Sequence, residues 1–317
     1  MSRKPACHSS KMKTPNLPPP SGPEFEVLMG EIDAKLAAEG TEIPGRPMMA
    51  VREVGLRYKV AMPLGGDVSR MPPDLRPQAP LSEAINQWYR DAYGDKLNVD
   101  PCPGKTVVRL DGDLYTLRIP RIFGQVNFVT SRTFFNNPGI SRGPVTCNVA
   151  QLVDDLSQSK ASRLSNDALS EIAISFERAL PGLYTLENTP HELTQIALGD
   201  VGVAVGNLMT RQGRFGESKW ASLQAAEKSL KAAIALEGAT YKRTHGLGGL
   251  FDELSKVGIV VDPKPFVDAI QCTPGIRYGE ETCTLEQALD AHRRSLDLVN
   301  ALSAAGAKFE LGIGGVS

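Results

Sequence analysis

The sequence contains no apolar run approaching the roughly 20 residues needed to span a bilayer, because charged side chains interrupt its longest hydrophobic stretches. No charged start leads into an apolar segment, so neither a membrane helix nor an export signal is expected. Cysteine is scarce and badly placed for structural chemistry: Cys7, Cys102, Cys147, Cys272 and Cys283 are odd in number and widely spaced, with no C-x-x-C pair. That excludes a zinc ribbon and a disulfide framework and reads as reduced thiols in a cytoplasmic protein. An excess of one charge is also missing, since 35 Lys and Arg face 36 Asp and Glu for a net charge of -1. No global field draws the chain to nucleic acid or anionic lipid, so any such binding must come from a local patch. Acidic pairs such as Asp154-Asp155 and Glu280-Glu281 lack the spaced partners of a metal site and read as helix-end charges. Neither metal nor cofactor is expected.

What is present suits a globular protein. With 317 residues, 41% of them hydrophobic, the chain can bury a sizeable core and is expected to form two domains. Residues 1–23 carry Arg3, Lys4, Lys11 and Lys13 without an acidic residue and end in a proline run, which predicts a disordered basic tail. Phe25, Leu28, Ile32 and Leu36 then recur at helical spacing, with Gly40 as a stop. "GLRYKVAM" alternates Leu56, Tyr58, Val60 and Met62 with other residues, the period of a half-buried strand. After a proline-rich loop, "LSEAINQWYRDAYGDKL" predicts a helix with Ser82 at its N-cap. "KTVVRLDGDLYTLRI" places Asp111-Gly112 between two β-branched runs as a two-residue hairpin turn, and "GQVNFVTSRTFF" adds a further strand. Residues 24–147 therefore read as an α+β domain with a small antiparallel sheet.

From residue 148 onward the pattern is helical. Pro181-Gly182 and Pro190 interrupt it, so residues 148–188 read as a helical bridge and residues 189–303 as a separate all-α, up-and-down bundle, with 304–317 a C-terminal tail. The strongest helical signal is "GESKWASLQAAEKSLKAAIALEG", in which Trp220, Leu223, Ala226, Leu230 and Ile234 share one face and Gly238 ends the run.

The succession "QAAEKSLKAAIALEG", "THGLGGLFDEL", "IRYGEE" and a final Ala-rich amphipathic helix resembles the HEPN domain family over about 110 residues. In that family the second helix carries a Q-A-A-E-K-A-L-K-A core, the next loop reads T-H-D-L, and A-R-Y-P precedes the last helix. The resemblance implies a helical bundle that usually dimerises through its long helices. It also implies one of two behaviours. Many members are metal-independent endoribonucleases marked by Arg-x(4–6)-His at the last helix, where arginine binds the scissile phosphate and histidine moves a proton. Others lack that signature and bind nucleotides or RNA, or serve for dimerisation.

The histidines decide which behaviour is expected. His292 is preceded at the required spacing by Gln287, Glu286 and Leu285, His245 by Thr240, Ala239 and Gly238, and His191 by Leu186, Thr185 and Tyr184. Only Arg3 with His8, in the expected tail, fits the pattern. The bundle thus lacks the standard ribonuclease motif, and whether the protein is an enzyme stays open. His245 and Arg277 occupy the "TH" and "IRY" positions and, with His292, are the remaining catalytic candidates. Lys242, Arg243, His245, Arg277 and Tyr278 are the candidates for holding a nucleotide or RNA phosphate. A plainer reading has Thr244-His245 capping the next helix and Arg277-Tyr278 packing at a helix start. "GLGG" at 246–249 lacks the Lys-Ser/Thr of a phosphate loop and follows a helix, so it reads as a packing feature.

Arg109, Arg118, Arg121, Arg132 and Arg142 interleave with aromatic residues around the hairpin. They are a possible N-terminal binding face, set against a plain solvated sheet surface. The leading expectation is a homodimer formed through the bundle that binds a nucleotide or RNA, in a prokaryotic stress, toxin–antitoxin or antiphage setting carried over from the family. The alternatives are a metal-independent endoribonuclease with a non-standard Arg/His site, and a protein whose N-terminal domain binds a protein partner or ligand while the bundle only dimerises. No membrane partner is expected.

Overall fold

The computed structural model describes residues 17–98, 102–122, 124–135 and 144–312. Arg3, His8, Cys7, Phe123, Arg142 and the final residues 313–317 lie outside them. The described residues fall into two compact units that divide at residue 100.

The first unit contains three longer helices, α1 (Pro23–Ala38), α2 (Arg46–Tyr58) and α3 (Ala79–Tyr93). Phe25, Met29, Ile32 and Leu36 from α1, Val51 and Val54 from α2, and Ile85 and Tyr89 from α3 close one buried cluster. A polar clasp stands at its edge: Tyr93 donates to Asp33 at 2.6 Å and Arg46 donates to both Asp33 and Tyr93. Two local expectations fail here. "GLRYKVAM" is no strand, because α2 continues through Tyr58, Lys59 turns left-handed at φ 55°, and the Val60 amide closes the helix on the Gly55 carbonyl. The alternation straddles a helix end, and Ala50, Val51 and Val54 at helical spacing supply the burial that decides the conformation. Ser82 is no cap either. Pro80 sits in the first turn of α3, where a missing amide costs nothing, and the Ser82 hydroxyl lies buried without a partner among the described residues.

The second unit begins with β1 (Gly104–Leu110) and β2 (Asp113–Ile119), an antiparallel hairpin in register from Gly104 opposite Ile119 to Leu110 opposite Asp113. Asp111 and Gly112 both take positive φ, the requirement of the two-residue turn that matches strand twist. Short strands β3 (Val126–Val129) and β4 (Val145–Asn148) pair in parallel. Then follow α4 (Gln158–Ala161), α5 (Asn166–Asn188), α6 (Glu192–Met209), α7 (Phe215–Leu236), α8 (Leu247–Lys256), α9 (Lys264–Ile270), a 3-10 turn (Pro274–Tyr278) and α10 (Leu285–Ala304). The sequence pattern predicts boundaries at 147 and 188. In the structure the hairpin and α5 share a core with the bundle, because β1 is buried on both faces. Val108 and Leu110 pack with Ile172 and Leu183 of α5, and Val107 packs with Val205, Leu208 and Leu289 of α6 and α10.

Pro181 does not end α5, which runs unbroken to Asn188. Proline removes one intrahelical hydrogen bond, and burial of Leu183, Tyr184 and Leu186 just beyond it holds the following turn in place. Gly182 lets α5 approach α10, since a Cβ there would come within 3.4 Å of the Leu296 carbonyl. The last helix starts in a capping box, Thr284 and Gln287 satisfying each other's backbone amides.

Candidate functional site

Helix α7 presents Gln224, Glu227, Lys228 and Lys231 three and four residues apart, hence on neighbouring turns of one face. The Glu227 carboxylate is 6% exposed and Lys231 is nearly as deep, with Lys231 Nζ 2.5 Å from Glu227 Oε1. The second carboxylate oxygen stands 2.7 Å from His245 Nδ1. Helix α7 stops at Gly238, which takes φ 78°, and the following loop doubles back to bring His245 over Glu227. Its imidazole remains 65% exposed. Glu227 can only accept a proton-bearing nitrogen, so Nδ1 is the donor and Nε2 is left facing solvent.

The rest of the loop adds positive charge. The Tyr241 ring covers the Lys231 ammonium, 5.6 Å from its centroid. Lys242 pairs with Glu253 of α8 at 3.1 Å, and the Lys256 and Lys242 ammonium groups hold the Glu253 carboxylate below its ordinary pKa. Arg243 is exposed and has no ion-pair partner among the described residues. Lys228 is committed to Asp200 of α6 at 2.6 Å. On the other side the Trp220 ring lies 6.1 Å from the imidazole.

His245 does not cap α8. The Leu247 amide donates to the Gln271 side chain, and Thr244 accepts from Gly246 just outside the helix. The imidazole is instead committed to α7. Arg277 and Tyr278 lie on the 3-10 turn before α10, the guanidinium resting 5.7 Å over the ring of its exposed neighbour Tyr278. That turn is seated on the first turn of α7, where a Cβ on Gly216 would stand 2.2 Å from the Ile276 carbonyl. Arg277 and His245 are thus held to different parts of α7, and no contact joins them among the described residues.

His292 faces inward. It is fully buried, with Nε2 2.9 Å from Thr106 Oγ1 of β1. Burial first, then the nearby Arg293 and Arg178, push its pKa down to about 4, so it is neutral at cellular pH and out of reach of a ligand. The hairpin arginines are tied down too. Arg109 pairs with Glu286, Arg118 with Asp154 at 2.6 Å, and Arg121 makes a forked pair with Glu187. Arg132 bonds to the Leu164 carbonyl and to Asn166. Arg109 and Arg121 hold the hairpin and its following loop to α10 and α5, Arg132 reaches the start of α5, and Arg118 ties β2 to the turn at Asp154. Phe128, Phe134 and Tyr115 pack against the core.

Residues 192–291 match the family model described as HEPN domain. The match opens at the first residue of α6 and closes inside α10, so it takes in Glu227, His245 and Arg277. The hairpin, α5 and the whole first unit lie outside it. No curated protein and no solved structure matches the chain.

Within the matched residues, His245 and its cationic neighbours stand out in the sequence, whereas Glu227 and Lys231 do not. Their signal was the Glu-x-x-x-Lys spacing inside "QAAEKSLK", which on a helix surface is an ordinary solvated pair. Burial gives it a different meaning. No cluster of three or more His, Cys, Asp or Glu side chains able to hold a metal occurs among the described residues. Cys147, Cys272 and Cys283 form no disulfide among the described residues, and burial pushes the Cys272 thiol up to about 11. No helix there is long and apolar enough to cross a membrane.

Proposed function

We propose that the HEPN region binds a nucleotide or an RNA phosphate at the loop over α7, with His245 and Arg243 as direct contacts and Lys242 beside them. One observation carries this reading: an exposed imidazole is held in one orientation by a carboxylate buried against its own lysine. A buried, doubly bonded carboxylate is costly to place, and its yield is a histidine presenting Nε2 outward at a fixed angle beside two basic side chains. A histidine oriented by a carboxylate, beside an exposed guanidinium, suits a phosphate dianion or a backbone phosphodiester. In this reading the protein is a dimerising module of a prokaryotic stress, toxin–antitoxin or antiphage system, the bundle pairing two copies.

A second reading, a metal-independent endoribonuclease, is favoured by the same dyad. A carboxylate on Nδ1 is how histidine bases are oriented in acyl-transfer enzymes, and Nε2 could take a proton from a 2′-hydroxyl. The missing element is an arginine joined to it. Incubating the full chain with total RNA in EDTA, alongside equilibrium binding of a labelled RNA oligonucleotide, separates the two. Binding weakened by His245→Ala or Arg243→Ala with the RNA intact is expected. Cleavage abolished by His245→Ala would replace the first reading with the second, and binding unaffected by either variant would remove both.

A further inference from the structure

We propose that a groove along α2 of the first unit docks an amphipathic helix of a protein partner, one with apolar anchors on one face and acidic residues on its flanks. This does not rest on the HEPN reading, whose match lies wholly in the other unit. The groove measures about 740 Å³. One wall is the outer face of α2, where Met48 and Leu56 are 55% and 61% exposed, and the other is the segment after it, ending in Leu64 at 62%. The two walls close because the chain reverses at Lys59 and runs back over Gly55, where a Cβ would meet the Val60 carbonyl at 2.9 Å.

Composition and charge identify the occupant. Three of the eight methionines, Met48, Met49 and Met62, line this one groove, and unbranched thioether side chains are the ones that remould around an incoming apolar surface. Of the cations on α2, Arg46 pairs with Asp33 and Arg57 with Glu31. Arg52 and Lys59, the two that line the groove, are exposed and have no carboxylate partner among the described residues. A groove with methionine walls and unpaired basic side chains complements a helix carrying apolar residues every third or fourth position and glutamate or aspartate beside them. A basic helix or a nucleic acid fits poorly, the first because of charge and the second because the walls are apolar.

The test uses the full chain and two labelled helical peptides of about 16 residues, roughly 24 Å long at about 1.5 Å per residue. Both carry leucine on one face; one has glutamate on its flanks and the other lysine. Fluorescence anisotropy is expected to show saturable binding of the glutamate peptide only. Leu56→Asp should weaken it about thirtyfold, the scale of losing one well-seated anchor, and Arg52→Glu about three- to tenfold with a flatter salt dependence. Leu56 and Arg52 are exposed, so an unchanged melting curve confirms that both variants fold. The proposal is overturned by any of three results: equal binding of both peptides, no binding of the glutamate peptide, or self-association of the chain that Leu56→Asp abolishes.

Discussion

His245 and His292 sit in one helical unit and meet opposite surroundings. The loop after α7 holds His245 at the surface with a buried carboxylate on Nδ1, whereas the seam between β1 and α10 encloses His292 with a threonine hydroxyl and, among the described residues, no counter-charge. The first arrangement leaves a nitrogen free for chemistry or binding. The second turns histidine into a neutral packing residue whose proton affinity is lowered by burial. A histidine's role is thus fixed by what its other nitrogen meets, which spacing along a sequence does not convey.

The comparison is broken most severely at Glu227. Removing the carboxylate in Glu227→Ala leaves Lys231 nearly buried without its counter-ion and frees His245, and a loss of about 3–5 kcal/mol is expected in chemical denaturation. Glu227→Gln, which keeps the shape and one accepting oxygen but loses the charge, should cost less. An equal melt for wild type and Glu227→Ala would show that the pair is solvated after all.

The second region answers to pH. Unfolded His292 takes up a proton near its ordinary pKa of 6.5, while the folded side chain resists until about 4. The unfolded state therefore binds more protons between these values, and stability falls as pH drops from 6.5 toward 4, by about 3 kcal/mol at the lower end. His292→Gln should flatten that slope, and a slope unchanged by the substitution would remove His292 as its source. A smaller effect is expected from Thr106→Val, about 1–2 kcal/mol at neutral pH, because it strands a buried ring nitrogen. His245→Ala should change stability least, within about 0.5–1 kcal/mol for an exposed side chain, while it weakens phosphate binding about tenfold or more. That inversion between stability and binding separates the two histidines.

Parts of this arrangement were readable from residue pattern alone. Asp111-Gly112 between β-branched runs gave the hairpin, because positive φ at both positions is a local demand that few residue pairs meet. The apolar stripe of α7 and its glycine stop were equally local. The end of α2 misled because four alternating residues fit a strand as well as the exit of a helix, and tertiary burial of Val51 and Val54 decided between them. Pro181 misled because its cost is modest when the next turn is packed. Glu227 was invisible for a related reason: a Glu-x-x-x-Lys pair looks the same in sequence whether it is solvated or buried, and its contact with His245 depends on a loop that returns 18 residues later.

The most direct test of the site is a ¹⁵N NMR titration of the four histidine side chains in the full chain with a short RNA oligonucleotide. The account predicts that the His245 Nε2 resonance shifts in a saturable way while that of His292 stays fixed. Movement of His292 with His245 unchanged, or no movement at either, would contradict it.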